Sequence, residues 1–240
     1  MVKNLNLAID SSTNFASIAL AEEDRIIAEL TWRCGKNQTV ELVPAIRQVL
    51  ELAGTTRESL GSVIVARGPG SYNGLRAGIS VAKSLAYALQ IPVTSVGTLE
   101  LEAYQHAAMK LPIQPLMDAG RGEIVTAVFS GGTGDWKQIK EEYTTTIESL
   151  CRSIRRRTVF CGDMAAYADE LKKALGERAV LPVPPAQIRR SGYLAALGWQ
   201  KLQKGLLDRP DTLQPVYFRK PQITQPKSKM KISGEKSCVP

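Results

Sequence analysis

The order of its apolar runs constrains this chain most. Two alternating runs joined by a short polar turn are followed by a third, and then strand-like and helix-like segments take turns. Leu5 to Asp10 alternates, breaks at Ser11-Ser12-Thr13-Asn14, and resumes from Phe15 to Ala21, which is the pattern of a hairpin. Arg25 to Trp32 supplies a third strand. Val43, Ile46, Leu50 and Ala53 share one face of a helix predicted over Thr39–Ala53, with Pro44 near its first turn and Gly54 as its stop. Ser62 to Ala66 reads as a buried strand. After the loop Arg67–Gly74, a helix over Leu75–Leu89 keeps Leu75, Ile79, Ala82, Ala86 and Leu89 in helical period. Val93–Val96 is a short strand, and Thr98 can cap a helix running to Lys110. Hairpins followed by strand–helix alternation imply an α/β fold, a mixed sheet with helices on its faces.

From Ile113 the order starts again. Strands are expected over Ile113–Asp118, Glu123–Phe129, Glu141–Thr145, Thr158–Gly162 and Ala179–Val183. Helices are expected over Ile147–Ile154, Met164–Leu175 and Tyr193–Leu207. This suggests two similar mixed-sheet halves, 1–110 and 111–220, with the last helix free to pack back on the first. Beyond 220, Pro, Lys and Ser dominate and hydrophobic anchors vanish, so 221–240 reads as a basic disordered tail.

The formal charge of +8 points to an acidic partner, RNA among the candidates. Much of it sits in Arg152, Arg155, Arg156 and Arg157 and in Lys227, Lys229, Lys231 and Lys236, where a solvated face and a flexible end are the plainer reading. No apolar stretch approaches the roughly 18 residues of a membrane span, and no secretion signal is visible. Cys34, Cys151, Cys161 and Cys238 are scattered, as free thiols of a cytoplasmic protein would be. They lack C-x-x-C spacing, so neither a zinc site nor a redox pair is predicted. His106 is the one histidine, read as an exposed helical residue, so paired imidazoles are excluded.

Two loops carry what chemistry there is. In Asp10-Ser11-Ser12-Thr13 a carboxylate ends a strand beside hydroxyls and amides that can receive phosphate oxygens or a metal-bound water; the alternative is a polar turn. In Gly68-Pro69-Gly70-Ser71 glycines allow close backbone approach and a helix start faces any anion; the alternative is a tight turn into a packed helix. No Gly-Lys-Ser/Thr follows and the glycine spacing is not G-x-G-x-x-G, so neither nucleotide fingerprint is present. Asp118 and Glu123 can converge with Asp10 on one cleft. No complete catalytic set appears.

Four segments in order carry a resemblance: Leu7-Ala8-Ile9-Asp10-Ser11-Ser12-Thr13, Ile64 to Gly78 with its Arg67-Gly68-Pro69-Gly70-Ser71-Tyr72-Asn73-Gly74 core, Asp118-Ala119-Gly120-Arg121-Gly122-Glu123-Ile124, and Gln214-Pro215-Val216-Tyr217-Phe218-Arg219. Together they resemble the TsaB (YeaZ) family across about residues 5 to 220. The resemblance implies an actin/Hsp70-type ATPase (ribonuclease H-like) fold with a degenerate second half. It implies a non-catalytic subunit for N6-threonylcarbamoyladenosine formation in tRNA. Such a subunit binds the catalytic paralogue TsaD, usually with the ATPase TsaE, pairs with itself in their absence, and meets tRNA only through the complex. TsaD-type proteins carry a His-x-x-x-His metal pair on the helix matching Thr39–Ala53; here no metal is expected, and Asn37 or Gln38 stands where the family often has histidine. ATP or ADP is expected only at the subunit junction. The partner surface is expected on two helices, through Val43, Ile46, Arg47, Leu50, Tyr72, Leu75, Arg76, Ile79, Ala82, Lys83 and Ala86, helped by the small residues of the second helix. The competing functions are a stand-alone enzyme, metallopeptidase-like or ATPase, and a tRNA-binding module.

Overall fold

The computed structural model describes residues 5–35, 37–132, 136–163 and 166–218. The tail expected over 221–240, Cys238 and the Arg219 end of the last motif lie outside these residues. The first half runs β1 (Leu5–Asp10), β2 (Phe15–Glu22), β3 (Arg25–Arg33), α1 (Gln38–Leu52), β4 (Leu60–Ala66), α2 (Tyr72–Leu89), β5 (Val93–Val96) and α3 (Thr98–Tyr104). The second runs β6 (Ile113–Gly120), β7 (Glu123–Phe129), β8 (Gln138–Thr146), α4 (Ile147–Ser153), β9 (Thr158–Gly162), α5 (Ala168–Leu175), β10 (Ala179–Val180) and α6 (Ser191–Gln203).

Each half forms its own sheet, and the two sheets repeat one plan. The orders are β3-β2-β1-β4-β5 and β8-β7-β6-β9-β10. In both, the first three strands pair antiparallel and the last two join parallel. This duplicated mixed sheet is the arrangement of the actin/Hsp70-type ATPase fold. The second copy is the smaller: α4 and α5 have 7 and 8 residues where α1 and α2 have 15 and 18.

Pairing register decides where the loops emerge. Parallel β1 and β4 set Ile9 beside Val65, so the turns after both strands leave the same sheet edge side by side. In the second sheet β6 and β9 set Leu116 beside Gly162, so Asp118 and Asp163 emerge together too. Loops beyond the carboxyl ends of adjacent parallel strands are where such sheets place ligand sites.

The faces of the first sheet differ in side-chain size. Leu7, Ile9, Ile18, Leu20, Val63 and Val65 point to α1 and α2 and pack with Leu42, Ile46, Val49, Ile79 and Ala82. The opposite face presents Ala8, Ala19, Ala21, Ile64 and Ala66, and α6 lies on it through Leu194, Ala195 and Leu197. Small side chains let the helix axis come close: a Cβ added at Gly198 would stand 2.3 Å from Ile64 Cγ2. The chain then returns along the first half, where Asp208 N donates to Val93 O (2.9 Å), Lys83 Nζ to Leu213 O (3.3 Å) and Val216 N to Arg67 O (2.8 Å).

Several boundaries differ from the sequence reading. Helix α2 begins at Tyr72 because Ser71 caps it, its Oγ accepting from Gly74 N. Helix α1 starts at Gln38, which leaves Pro44 inside the helix. Gly97, not Thr98, is the cap residue of α3, and α3 ends at Tyr104 with a short 3₁₀ turn, Ala107–Met109, beyond it. The final helix runs Ser191–Gln203. His106 is buried, only 6% exposed, rather than solvent-facing, because the chain turns inward after α3. Among the described residues Cys34, Cys151 and Cys161 are free thiols, and no helix is long and apolar enough to cross a membrane.

Candidate functional site

The two sheet edges face each other across a cleft of about 720 Å³. One wall carries Ser12, Thr13, Asn14, Pro69, Gly70 and Ser71; the other carries Leu116 to Ala119, Gly162 and Asp163; Glu102 and Arg189 lie between, and Tyr217 and Phe218 also border it. The structure therefore brings together both loops singled out in the sequence. It also sets Asp118 opposite them, whereas Glu123 stays on β7 outside the lining.

What the loop glycines approach is the chain itself. An added Cβ would stand 2.4 Å from Ser12 O at Gly70, 2.0 Å from Ser11 O at Gly74 and 2.4 Å from Ser11 Oγ at Gly78. Ser71 N donates to Ser12 O (2.7 Å) and Ser11 Oγ to Gly74 O (2.8 Å). Gly68, at φ +111°, faces Val216 O instead. Gln38 is a structural clamp: its side-chain amide donates to Thr13 O (3.1 Å) and Gly35 O (2.8 Å). These contacts tie the loops of the cleft rim to one another and to the turn before α1.

Beneath the rim the acceptors of Asp10 are taken. Oδ1 accepts from Ser12 N (2.9 Å) and Ser12 Oγ (2.5 Å), and Oδ2 accepts from Arg189 Nε (3.0 Å). Arg189 Nη2 donates to Ser12 Oγ (2.7 Å) and Nη1 to Glu102 Oε2 (3.4 Å). Arg189, Asp10 and Glu102 are all buried. A guanidinium thus sits where a cation or a phosphate-bound metal would meet the Asp10 carboxylate. Burial works against the charged form of Arg189, yet Asp10 and Glu102 together raise its pKa. Burial also lifts the Glu102 carboxyl to about 7 against the pull of Arg189. Sequence reading missed Arg189 altogether. It lies 179 residues from Asp10, in no motif, directly before the helix that crosses the first sheet.

The expected partner residues divide by face. Ile46, Leu50, Ile79, Ala82 and Ala86 are buried in the core against the chain's own sheet, and Leu75 is buried beside Gly68, so for these six the expectation of a partner surface is corrected: they face inward from α1 and α2. Lys83 is half-buried and holds Leu213 O. Val43, Arg47, Tyr72 and Arg76 are exposed, joined by Val40 and Tyr87, with Val40 70% and Tyr87 76% exposed. The small residues divide likewise, Gly78, Ala82 and Ala86 inward and Ser80, Ser84 and Ala88 outward.

Comparison with known proteins agrees with this architecture. The family model described as "TsaD: tRNA N6-adenosine threonylcarbamoyltransferase" matches residues 33–206. The tRNA threonylcarbamoyladenosine biosynthesis protein TsaB of Bacillus subtilis is 31% identical over 199 residues, 81% of this chain and 87% of the relative. The TsaB of Escherichia coli is 32% identical over 126 residues, 51% of this chain and 54% of that protein. YeaZ from Pseudomonas aeruginosa has the same fold, with a TM-score of 0.76 at 24% identity, covering 90% of this chain and 100% of that one. The ordered motifs, the paired sheets and this identity over most of the length place the chain in the TsaB (YeaZ) family of tRNA threonylcarbamoyladenosine biosynthesis proteins.

Proposed function

We propose that the chain is the non-catalytic, supporting subunit of the threonylcarbamoyl transfer machinery, holding the catalytic paralogue TsaD. The observation that carries this reading is Arg189. It answers the charge of the one carboxylate at the loop end of β1 from inside the protein, where a metal–phosphate group would otherwise do so. A nucleotide entering here would have to displace a buried ion pair, and breaking such a pair costs roughly 3–5 kcal/mol.

The outer face of α1 and α2 supports the partner half of the proposal. Val40, Val43 and Arg47 follow one another at helical spacing on α1; Tyr72, Arg76, Ser80, Ser84 and Tyr87 do so on α2. A row of small residues edged by aromatic and basic side chains lets another helix pair come close. Two helices can contribute the roughly 800 Å² per partner of a standard interface. The match to the TsaD model makes TsaD a protein of related fold, so a pseudo-symmetric pairing of equivalent helices is the natural geometry. A second copy of this chain would use the same surface in the absence of TsaD. TsaE and tRNA join through the assembly, in the cytoplasm, and ATP or ADP binds only at the subunit junction.

Co-expression with tagged TsaD tests the surface: Val43→Arg combined with Tyr87→Glu should cut TsaD capture at least about tenfold, the equivalent of about 1.4 kcal/mol, and leave the unfolding midpoint unchanged. Undiminished capture removes this surface from the account. Threonylcarbamoylation of tRNA by the purified chain, free of TsaD, would overturn the supporting role. Isothermal titration with ATP and ADP, alone and with TsaD, should give heat only in the second case.

A further inference from the structure

Behind the cleft floor three metal-ligating side chains meet. Glu102 is on α3, His106 follows one helical turn later, and Cys161 is on β9 of the other sheet. One donor atom from each lies within 4.8 Å of the others, and all three residues are buried. Metal–ligand distances of about 2.0–2.3 Å would draw these atoms together by about 1 Å.

We propose that Glu102, His106 and Cys161 form a site for one divalent ion of borderline softness, Zn²⁺ above all, entered from the cleft. The donor set, one carboxylate, one imidazole and one thiolate, suits zinc and disfavours Mg²⁺ or Ca²⁺, which take oxygen ligands. An outer shell already orients the carboxylate. Glu102 Oε1 accepts from Gln105 Nε2 (3.2 Å) and Oε2 from Arg189 Nη1 (3.4 Å). Groups of this kind fix ligand geometry in metal sites. Charge also balances: Asp10 answers Arg189, which leaves the Glu102 carboxylate and a Cys161 thiolate to answer a dication.

His106 is a ready ligand. Its imidazole is buried, with a ring nitrogen within reach of the Glu102 and Cys161 donor atoms. Among the described residues its one polar neighbour in hydrogen-bond reach is Gln105 Nε2 at 3.4 Å. The buried Cys161 thiol donates weakly to Glu102 O at 3.6 Å, and a thiol that ligates a metal releases its proton to solvent on binding. The side of the site nearest the cleft is Glu102, which lines it, as do Gly162 and Asp163, the residues after Cys161. This site is separate from the α1 position at which TsaD-type proteins carry paired histidines, and it goes beyond the supporting role proposed above.

Co²⁺ is the probe. The full chain, stripped with a chelator and titrated with Co²⁺, should take up one equivalent with a thiolate-to-cobalt band in the near ultraviolet, and Zn²⁺ should bleach it. Cys161→Ser should abolish the band, and His106→Gln should weaken binding by at least about tenfold. A chain with Cys34, Cys151 and Cys238 all replaced by serine should keep the band. As a readout that does not depend on variant folding, Zn²⁺ should raise the thermal midpoint of the wild-type chain. Absence of the band in the wild-type chain, or its survival in a folded Cys161→Ser variant, overturns the proposal.

Discussion

Arg189 is the residue on which the cleft turns. Its guanidinium satisfies Asp10, Ser12 and Glu102 at once, and all four residues are buried. Removing one member of a buried ion pair leaves its partner charged and unpaired. Arg189→Ala should therefore lose about 3–5 kcal/mol of stability in urea unfolding, and Asp10→Asn with Glu102→Gln in the same chain should recover much of it. A small loss in Arg189→Ala alone would show that water already screens the network. The glycines of the neighbouring loop are a second residue-scale case. Gly74 has no room for a Cβ because Ser11 O stands 2.0 Å from where it would be, and that oxygen belongs to backbone, which yields little. Gly74→Ala should cost about 1–3 kcal/mol, the usual penalty of overpacking, whereas a Cβ at Gly122 meets nothing within 4 Å and meets only the cost of its φ of +76°. An unfolding midpoint for Gly74→Ala equal to that of the unaltered chain would contradict the steric account.

At the scale of elements, helical periodicity located α1 and α2 without saying which stripe the sheet takes. Both helices have an apolar stripe on the sheet and a partly apolar outer face, so position in a 3.6-residue period was not enough to separate core from partner surface. For α6 the deciding contact is shape. Gly198 sits over Ile64 because the sheet beneath is alanine-rich and the helix lies low on it. Gly198→Ala should destabilise the fold by about 1–3 kcal/mol, and Ile64→Ala should cost less in that chain than in the unaltered one, since it removes Cγ2, Cδ1 and Cγ1, the atoms that would meet the new Cβ. If the two substitutions simply add, the helix is not seated by that contact.

In the whole molecule, the halves are tied by a helix encoded after the second sheet and packed on the first. Leu194, Ala195 and Leu197 cover Ala8, Ala19 and Ala66, a face that α1 and α2 do not reach. A chain ending at residue 190 should accordingly lose cooperative unfolding, followed by circular dichroism in urea; retained cooperativity would mean the first sheet is stable with that face bare. Much of this was legible beforehand. Alternation and helical period set the element order of both halves, and a single histidine by itself excludes a paired-imidazole centre. Ser11–Thr13 and Gly68–Ser71 were recognisable as loops because polar and glycine residues interrupt apolar runs there. What local pattern could not contain is any contact between residues far apart in the chain: Arg189 on Asp10, His106 turned in beside Cys161, and Gly70 and Gly74 fitted to Ser11 and Ser12 rather than to a ligand. Sequence by itself determined which segments become strands and helices and in what order, because those follow from periodicities of two and 3.6 residues. Only the tertiary structure decided which face is core and which charges meet, because close packing and ion pairing act between residues that the chain order keeps apart.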